Sequence, residues 1–75
     1  MELKVDIRPT EEESANSAVL QLYETIKEYH GIAYICYVLG NEVAKENNKI
    51  ACFFYAMRLL QKISEYLGVD VGFID

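Results

Sequence analysis

The chain has 75 residues, a net charge of −5 and a hydrophobic fraction of 52%. This length allows one small domain, and the hydrophobic fraction excludes an intrinsically disordered chain. Because the chain lacks the basic stripe that phosphate neutralisation requires, we expect no binding to nucleic acid. Its longest apolar run is far shorter than the ~20 residues of a membrane-spanning helix, and no secretory signal is visible. We therefore expect a soluble cytoplasmic protein without a membrane span.

Residues 2–8 (ELKVDIR) alternate polar and apolar side chains, which predicts a half-buried β-strand. Its two faces are Leu3, Val5 and Ile7 on the apolar side and Glu2, Lys4, Asp6 and Arg8 on the charged side. Pro9 ends the strand because its nitrogen carries no hydrogen to donate.

The charge order of this strand is self-complementary. If a second copy pairs antiparallel about Val5, Glu2 faces Arg8, Lys4 faces Asp6, and the apolar residues face one another. Such pairing has the two-fold symmetry of a homodimer. The C-terminal segment VDVGF, residues 69–73, offers an alternative partner within the same chain, and the sequence leaves both pairings open.

The first helix is predicted over residues 10–30. Thr10 and Glu13 have the spacing of a capping box, and Gly31 is a candidate C-terminal stop. The residues expected on its buried side are Ala15, Val19, Leu22, Ile26 and Tyr29. This segment carries five Glu against one Lys, whereas residues 49–68 have a net charge of +2. We therefore expect an acidic first helix close to a more basic last helix.

Two further helices are predicted over 32–46 and 48–67, and both contain an uninterrupted apolar run. These runs are IAYICYVL, residues 32–39, and IACFFYAM, residues 50–57. Eight consecutive helical residues sweep more than two full turns, so neither run leaves a polar face. A helix of this kind needs apolar cover on every side. Whether residues 41–67 form one helix or two is left open.

Two glycines have predicted structural roles in this part of the chain. Gly40 lies in the middle of the second helix, which indicates close approach of another backbone or a local break. Gly68 follows the third helix and predicts a Schellman-type end. Residues 69–75 are predicted as an extended tail with a weaker strand pattern.

The predicted fold is a mostly α, single-domain protein with three helices and a short N-terminal β-strand. A short C-terminal strand would give it a minor α+β character. The segment LGNEVAKENNKIACFFYAMRLL, residues 39–60, resembles the helix–turn–helix unit of tetratricopeptide repeats, through Leu39–Gly40 and Ala51. The resemblance covers less than a third of the chain, in a single copy, and implies a helical hairpin without a specific function.

The titratable and nucleophilic residues do not form a recognisable catalytic or metal-binding pattern. His30, the single histidine, precedes Gly31 and is expected to interact with the helix dipole. Cys36 and Cys52 lie within apolar runs without a metal-ligand spacing, so we interpret them as buried thiols. We therefore predict neither enzymatic activity nor a bound cofactor or metal.

The apolar runs favour self-association, because three helices of this size cannot cover both runs within one chain. We predict a small non-enzymatic interaction module, most simply a homodimer. The interface residues expected from the sequence are Leu3, Val5, Ile7, Tyr34, Tyr37, Phe53, Phe54 and Tyr55. Two alternatives are an acidic modulator of the small phage or prophage kind, which docks Glu11–Glu28 on a basic partner, and a carrier of a small apolar ligand.

Overall fold

A computed structural model of the protein describes residues 4–29, 31–45 and 50–70. Within these ranges the chain is mostly helical, as predicted. The helices are α1 (Glu11–Ser14), α2 (Ser17–Glu28), α3 (Ile32–Ala44) and α4 (Ile50–Leu67). The α3 and α4 helices pack against each other, which agrees with the helical hairpin implied for residues 39–60. They are separate helices, which answers the question left open for residues 41–67.

No β-strand occurs in the described part of the chain, so residues 4–8 and 69–70 are not strands. The rest of both predicted strands lies outside the described residues. The polar groups of residues 6–8 bind other partners instead. The Arg8 amide donates to Asp6 Oδ1 at 3.0 Å, and the Ile7 carbonyl accepts from the Tyr55 hydroxyl. The predicted alternation is nevertheless present, because Val5 and Ile7 are half-buried against the core while Lys4, Asp6 and Arg8 are exposed.

The predicted first helix is divided into α1 and α2. The Thr10–Glu13 capping box is present, with the Thr10 amide 2.8 Å from Glu13 Oε1 and the Glu13 amide 3.1 Å from Thr10 Oγ1. A second cap follows at Asn16, whose Oδ1 accepts from the amides of Ala18 and Val19 at 2.9 and 3.3 Å. Asparagine is favoured at this position because its side chain satisfies amides that the helix cannot. Ala15, predicted to be buried, lies at the break and is exposed.

The α4 helix lies at the centre of the fold and packs against both α2 and α3. The core residues are Val19, Leu22 and Ile26 from α2, Ile32, Ile35 and Leu39 from α3, and Cys52, Tyr55, Ala56, Leu59, Leu60 and Ile63 from α4. The α2 stripe predicted from its 3–4 spacing is therefore buried, except at Tyr29, which is exposed.

The glycines fulfil only part of their predicted roles. Gly68 has a φ of 69°, and the Val69 amide donates to the Ser64 carbonyl, which is the 6→1 bond of a Schellman-type end; the Gly68 amide also donates to this carbonyl. Gly31 is extended, with a φ of −83°, and precedes α3 as its N-cap, so it does not provide a left-handed stop for α2. The α3 helix continues through Gly40 without a break, and a Cβ there would meet open space. The close backbone approach expected at Gly40 is thus absent within the described chain.

Candidate interaction surface

In the apolar run of α3, the type of residue determines whether its side chain is buried or exposed. Its aliphatic residues Ile32, Ile35 and Leu39 are buried, whereas Tyr34 and Tyr37 face outward, with Tyr37 68% exposed. Tyrosine tolerates this position because its hydroxyl can bind water while its ring covers neighbouring apolar surface. The outer face of this run can therefore bind water through tyrosine hydroxyls, although it contains no charged residue.

Three tyrosines form a row at this outer surface, which we call the tyrosine row: Tyr29, Tyr34 and Tyr37. The ring centroids of Tyr29 and Tyr34 are 4.1 Å apart, and those of Tyr34 and Tyr37 are 6.4 Å apart. Partial burial and the neighbouring Tyr29 raise the pKa of Tyr34. The rings cover one another in part, which reduces the apolar area that water contacts.

The apolar run of α4 has the opposite arrangement. Its tyrosine, Tyr55, is fully buried, whereas Ile50 and Phe54 are 64% and 63% exposed and Met57 is 40% exposed. Residues at positions i, i+4 and i+7 share one helix face, so these three side chains form a continuous stripe, called here the α4 stripe. Phe53 is half-buried beside it, with its ring 5.5 Å from that of Phe54. No member of the α4 stripe has a group that forms a strong hydrogen bond with water.

The buried hydroxyl of Tyr55 is satisfied by the N-terminal arm, residues 4–10. It donates to the carbonyl of Ile7, and burial raises the pKa of Tyr55 well above its usual value. This bond joins residues 48 positions apart and explains how a polar group can lie in the core at little cost.

An ion pair holds the same arm and α1 against α4. Arg58 Nη2 donates to Glu13 Oε1 at 2.6 Å and Arg58 Nε to Glu13 Oε2 at 3.3 Å, while Arg58 Nη2 also lies 3.4 Å from the Arg8 carbonyl. Burial alone would raise the pKa of Glu13, but hydrogen bonds from Arg58 and Thr10 outweigh it, so the pKa is lower than usual. This contact brings the acidic first segment to the more basic last helix, as predicted.

The predicted interface residues therefore have different surroundings. Phe54, Tyr37 and Tyr34 are exposed, whereas Tyr55 is enclosed in the core and cannot face a partner in this conformation. Val5 and Ile7 pack against the core of their own chain, and Leu3 lies outside the described residues. The sequence interpretation did not single out Ile50 and Met57, which are exposed on the same helix face as Phe54, although their spacing from Phe54 places them there.

The charged pairs predicted between two copies compete with an ion pair that forms within one chain. Asp6 is paired within its own chain, with Arg8 Nε 3.1 Å from Asp6 Oδ1. Hydrogen bonds from the side chain and backbone of Arg8 lower the pKa of Asp6 to about 2. Lys4 is exposed and Glu2 lies outside the described residues. Strand pairing between copies would have to exchange the Asp6–Arg8 contact for the intermolecular ones.

The acidic residues of α1 and α2 are partly neutralised within the chain. Glu13 is held by Arg58, and Glu24 Oε2 lies 3.1 Å from Lys27 Nζ. Glu11 and Glu12 are exposed at the start of α1. The acidic surface that an electrostatic modulator would use is thus smaller than the glutamate count indicates.

A surface groove of about 410 Å³ runs beside the C-terminal half of α4. Its lining combines the apolar Met57 and Leu60 with five polar residues, Arg58, Gln61, Ser64, Glu65 and Asp70. Although five of these residues are polar, most of the surface that lines the groove is apolar, which is compatible with the alternative of a carrier for a small apolar ligand. Burial raises the pKa of Cys36, and no group of three metal-ligating residues occurs in the ranges that the structure describes. His30 lies outside those ranges.

Comparison with known proteins provides no family assignment. No protein-family model matches the chain, and no curated protein or solved structure has significant similarity to it. None of the helices in the described ranges has both the length and the hydropathy needed to cross a membrane.

Proposed function

We propose that the protein is a small non-enzymatic interaction module that acts in the cytoplasm as a homodimer. The observation that supports this proposal most directly is the α4 stripe, which combines large exposed side chains with no charged or strongly polar group. Exposed apolar surface of this kind is typical of protein–protein contacts. The cytoplasmic part of the proposal rests on the sequence, in which Cys36 and Cys52 lie within apolar runs without the pattern of a disulfide scaffold.

The energetic gain expected from dimerisation is moderate. Covering the exposed parts of Ile50, Phe54 and Met57 is worth on the order of 3 kcal/mol per copy, or about 6 kcal/mol per dimer. Association costs about 4–15 kcal/mol in lost translational and rotational freedom. Even against the lowest cost, the α4 stripe alone leaves a net gain of only about 2 kcal/mol, whereas a dimer with a millimolar dissociation constant needs about 4 kcal/mol. The half-buried neighbours of the stripe, such as Phe53, must therefore contribute to the contact, and we expect a dimer that dissociates on dilution.

The solution mass tests this proposal. Light scattering on a sizing column, at loading concentrations from several hundred micromolar down to low micromolar, is expected to give a mass near twice the 8.6 kDa of the monomer at the higher concentrations. A mass that stays at 8.6 kDa throughout would contradict the homodimer.

A pair of matched variants tests whether the contact surface is apolar and on α4. Phe54→Ser is expected to raise the dimer dissociation constant at least about ten-fold, because both copies lose an aromatic contact. Leu20→Ser is the control, since Leu20 is 40% exposed on α2 and outside the α4 stripe. Equal weakening by both variants would contradict a contact centred on α4.

A further inference from the structure

We propose that the two copies associate through antiparallel pairing of α4 with α4, about a two-fold axis beside Phe54. This inference rests on the proposed homodimer and names its surface and orientation. In this arrangement Ile50 of one copy contacts Met57 of the other, and the two Phe54 rings lie at the centre of the interface.

The positions of the stripe residues along α4 make the surface self-complementary. Ile50 and Met57 are seven residues apart, which is about 10.5 Å at ~1.5 Å per residue. A two-fold axis midway between them sets Ile50 level with Met57 of the second copy, and reciprocally. Phe54 then lies within about 1 Å of the axis along the helix. Every large exposed side chain of the stripe thus meets an apolar side chain.

The polar half of α4 favours antiparallel over parallel pairing. Beyond Met57 the same face continues with Gln61 and then the exposed Glu65. Parallel pairing would bring the two Glu65 carboxylates together and align like ends of the two helix dipoles. Antiparallel pairing about Phe54 overlaps only the apolar halves and directs the two polar halves away from each other.

The chemistry of the two exposed surfaces favours the α4 stripe over the tyrosine row as the contact. Tyr29, Tyr34 and Tyr37 retain hydroxyls that water can bind, and their rings already contact one another. Ile50, Phe54 and Met57 have no such group, so covering them recovers more free energy for the same area. On the flank of the stripe, Arg58 already binds Glu13 and so brings no uncompensated charge to the contact.

Disulfide trapping tests the orientation. Facing helices have axes about 8–10 Å apart, which leaves opposed Cα atoms within the ~4.4–6.8 Å that a disulfide spans. We would prepare Ile50→Cys and Met57→Cys separately, and oxidise each alone and as an equimolar mixture with a mild thiol oxidant. Cross-linked dimer would be measured on non-reducing gels. Both positions are exposed, so neither substitution removes a core contact. The parent chain, with Cys36 and Cys52, gives the background.

The expected result is a cross-linked dimer that is several-fold more abundant in the mixture than in either variant alone. In the antiparallel pair, each cysteine lies about 10 Å from its symmetry mate, too far for a disulfide. Strong cross-linking of each variant with itself would indicate parallel pairing and overturn the proposal. Background cross-linking throughout, with a dimeric mass in solution, would overturn this interface but leave the homodimer intact. A monomeric mass would overturn both.

Discussion

The two apolar runs, residues 32–39 in α3 and 50–57 in α4, both lack a polar face in sequence, but the structure orients their tyrosines in opposite directions. In α3 the larger aliphatic side chains Ile32, Ile35 and Leu39 enter the core, while the tyrosines face water. In α4 the tyrosine enters the core, while Ile50, Phe54 and Met57 face outward. The hydropathy of a run therefore does not decide how apolar its outer face is in the folded chain. The position of the hydroxyl-bearing residue decides it.

The buried Tyr55 requires a hydrogen-bond partner from the protein, whereas the exposed Tyr34 and Tyr37 do not. Tyr34 and Tyr37 can bind water, but the hydroxyl of Tyr55 needs a protein acceptor, and the Ile7 carbonyl provides it. The α4 run is thus linked to the N-terminal arm on its inner side and presents an apolar stripe on its outer side. The α3 run has neither feature.

Removal of the inward tyrosine ring is expected to have the largest effect. Tyr55→Ala should lower the free energy of unfolding by about 3–5 kcal/mol, since it leaves a cavity in the core. Tyr37→Ala, which removes the same ring from an exposed position, should change it by less than ~0.5 kcal/mol. Urea denaturation followed by circular dichroism measures both, at protein concentrations low enough to avoid dimerisation. Similar effects of the two substitutions would contradict the opposed orientations.

Removal of the Tyr55 hydroxyl alone measures the contribution of its hydrogen bond with the N-terminal arm to stability. Tyr55→Phe keeps the ring and leaves the Ile7 carbonyl without its donor, which should cost about 1–2 kcal/mol of unfolding free energy. Tyr37→Phe is the matched control and should be close to neutral. The same denaturation experiment applies. If Tyr55→Phe has no effect, the hydroxyl does not form a stabilising bond with the arm.

The smallest predicted effect concerns the pH dependence of the ion pair between Glu13 of α1 and Arg58 of α4. The pKa of Glu13 in the folded chain is below its ordinary value of 4.5. The unfolded chain therefore binds this proton more readily, so the ion pair stabilises the fold above pH ~4.5 and loses its contribution as the pH falls through the folded pKa. Glu13→Gln should flatten the stability profile below pH 5 relative to the parent chain. Glu12→Gln, at an exposed glutamate in the same turn, is the matched control, because the carboxylate that binds Arg58 is that of Glu13.

Local signals in the sequence were sufficient for much of the fold. The Thr10–Glu13 capping box, the buried Val19, Leu22 and Ile26, and the end of α4 at Gly68 each depend on residues within a few positions of one another. The division of the first helix at Asn16 was also a local signal, because Asn-Ser is a favourable helix start. It was missed because the 3–4 spacing of apolar residues continues across the break.

Other features could not be predicted because they depend on residues far apart in the chain. The alternation of residues 4–8 correctly indicated that Val5 and Ile7 would be half-buried, but Tyr55 and Arg58, about 50 positions later, replace a neighbouring strand as hydrogen-bond partners. Similarly, the apolar pattern of residues 50–57 did not reveal which side would face the core. That choice depends on α4 packing against both α2 and α3.

The attachment of the N-terminal arm also has a kinetic consequence. Its bonds to α4 join residues 48 and 50 positions apart, whereas α3 and α4 are neighbours along the chain. Contacts of large sequence separation form late in folding, since chain entropy must be lost before they form. We therefore expect the hairpin to assemble before the arm docks. Loss of the Tyr55 hydroxyl should then speed unfolding while leaving the folding rate almost unchanged.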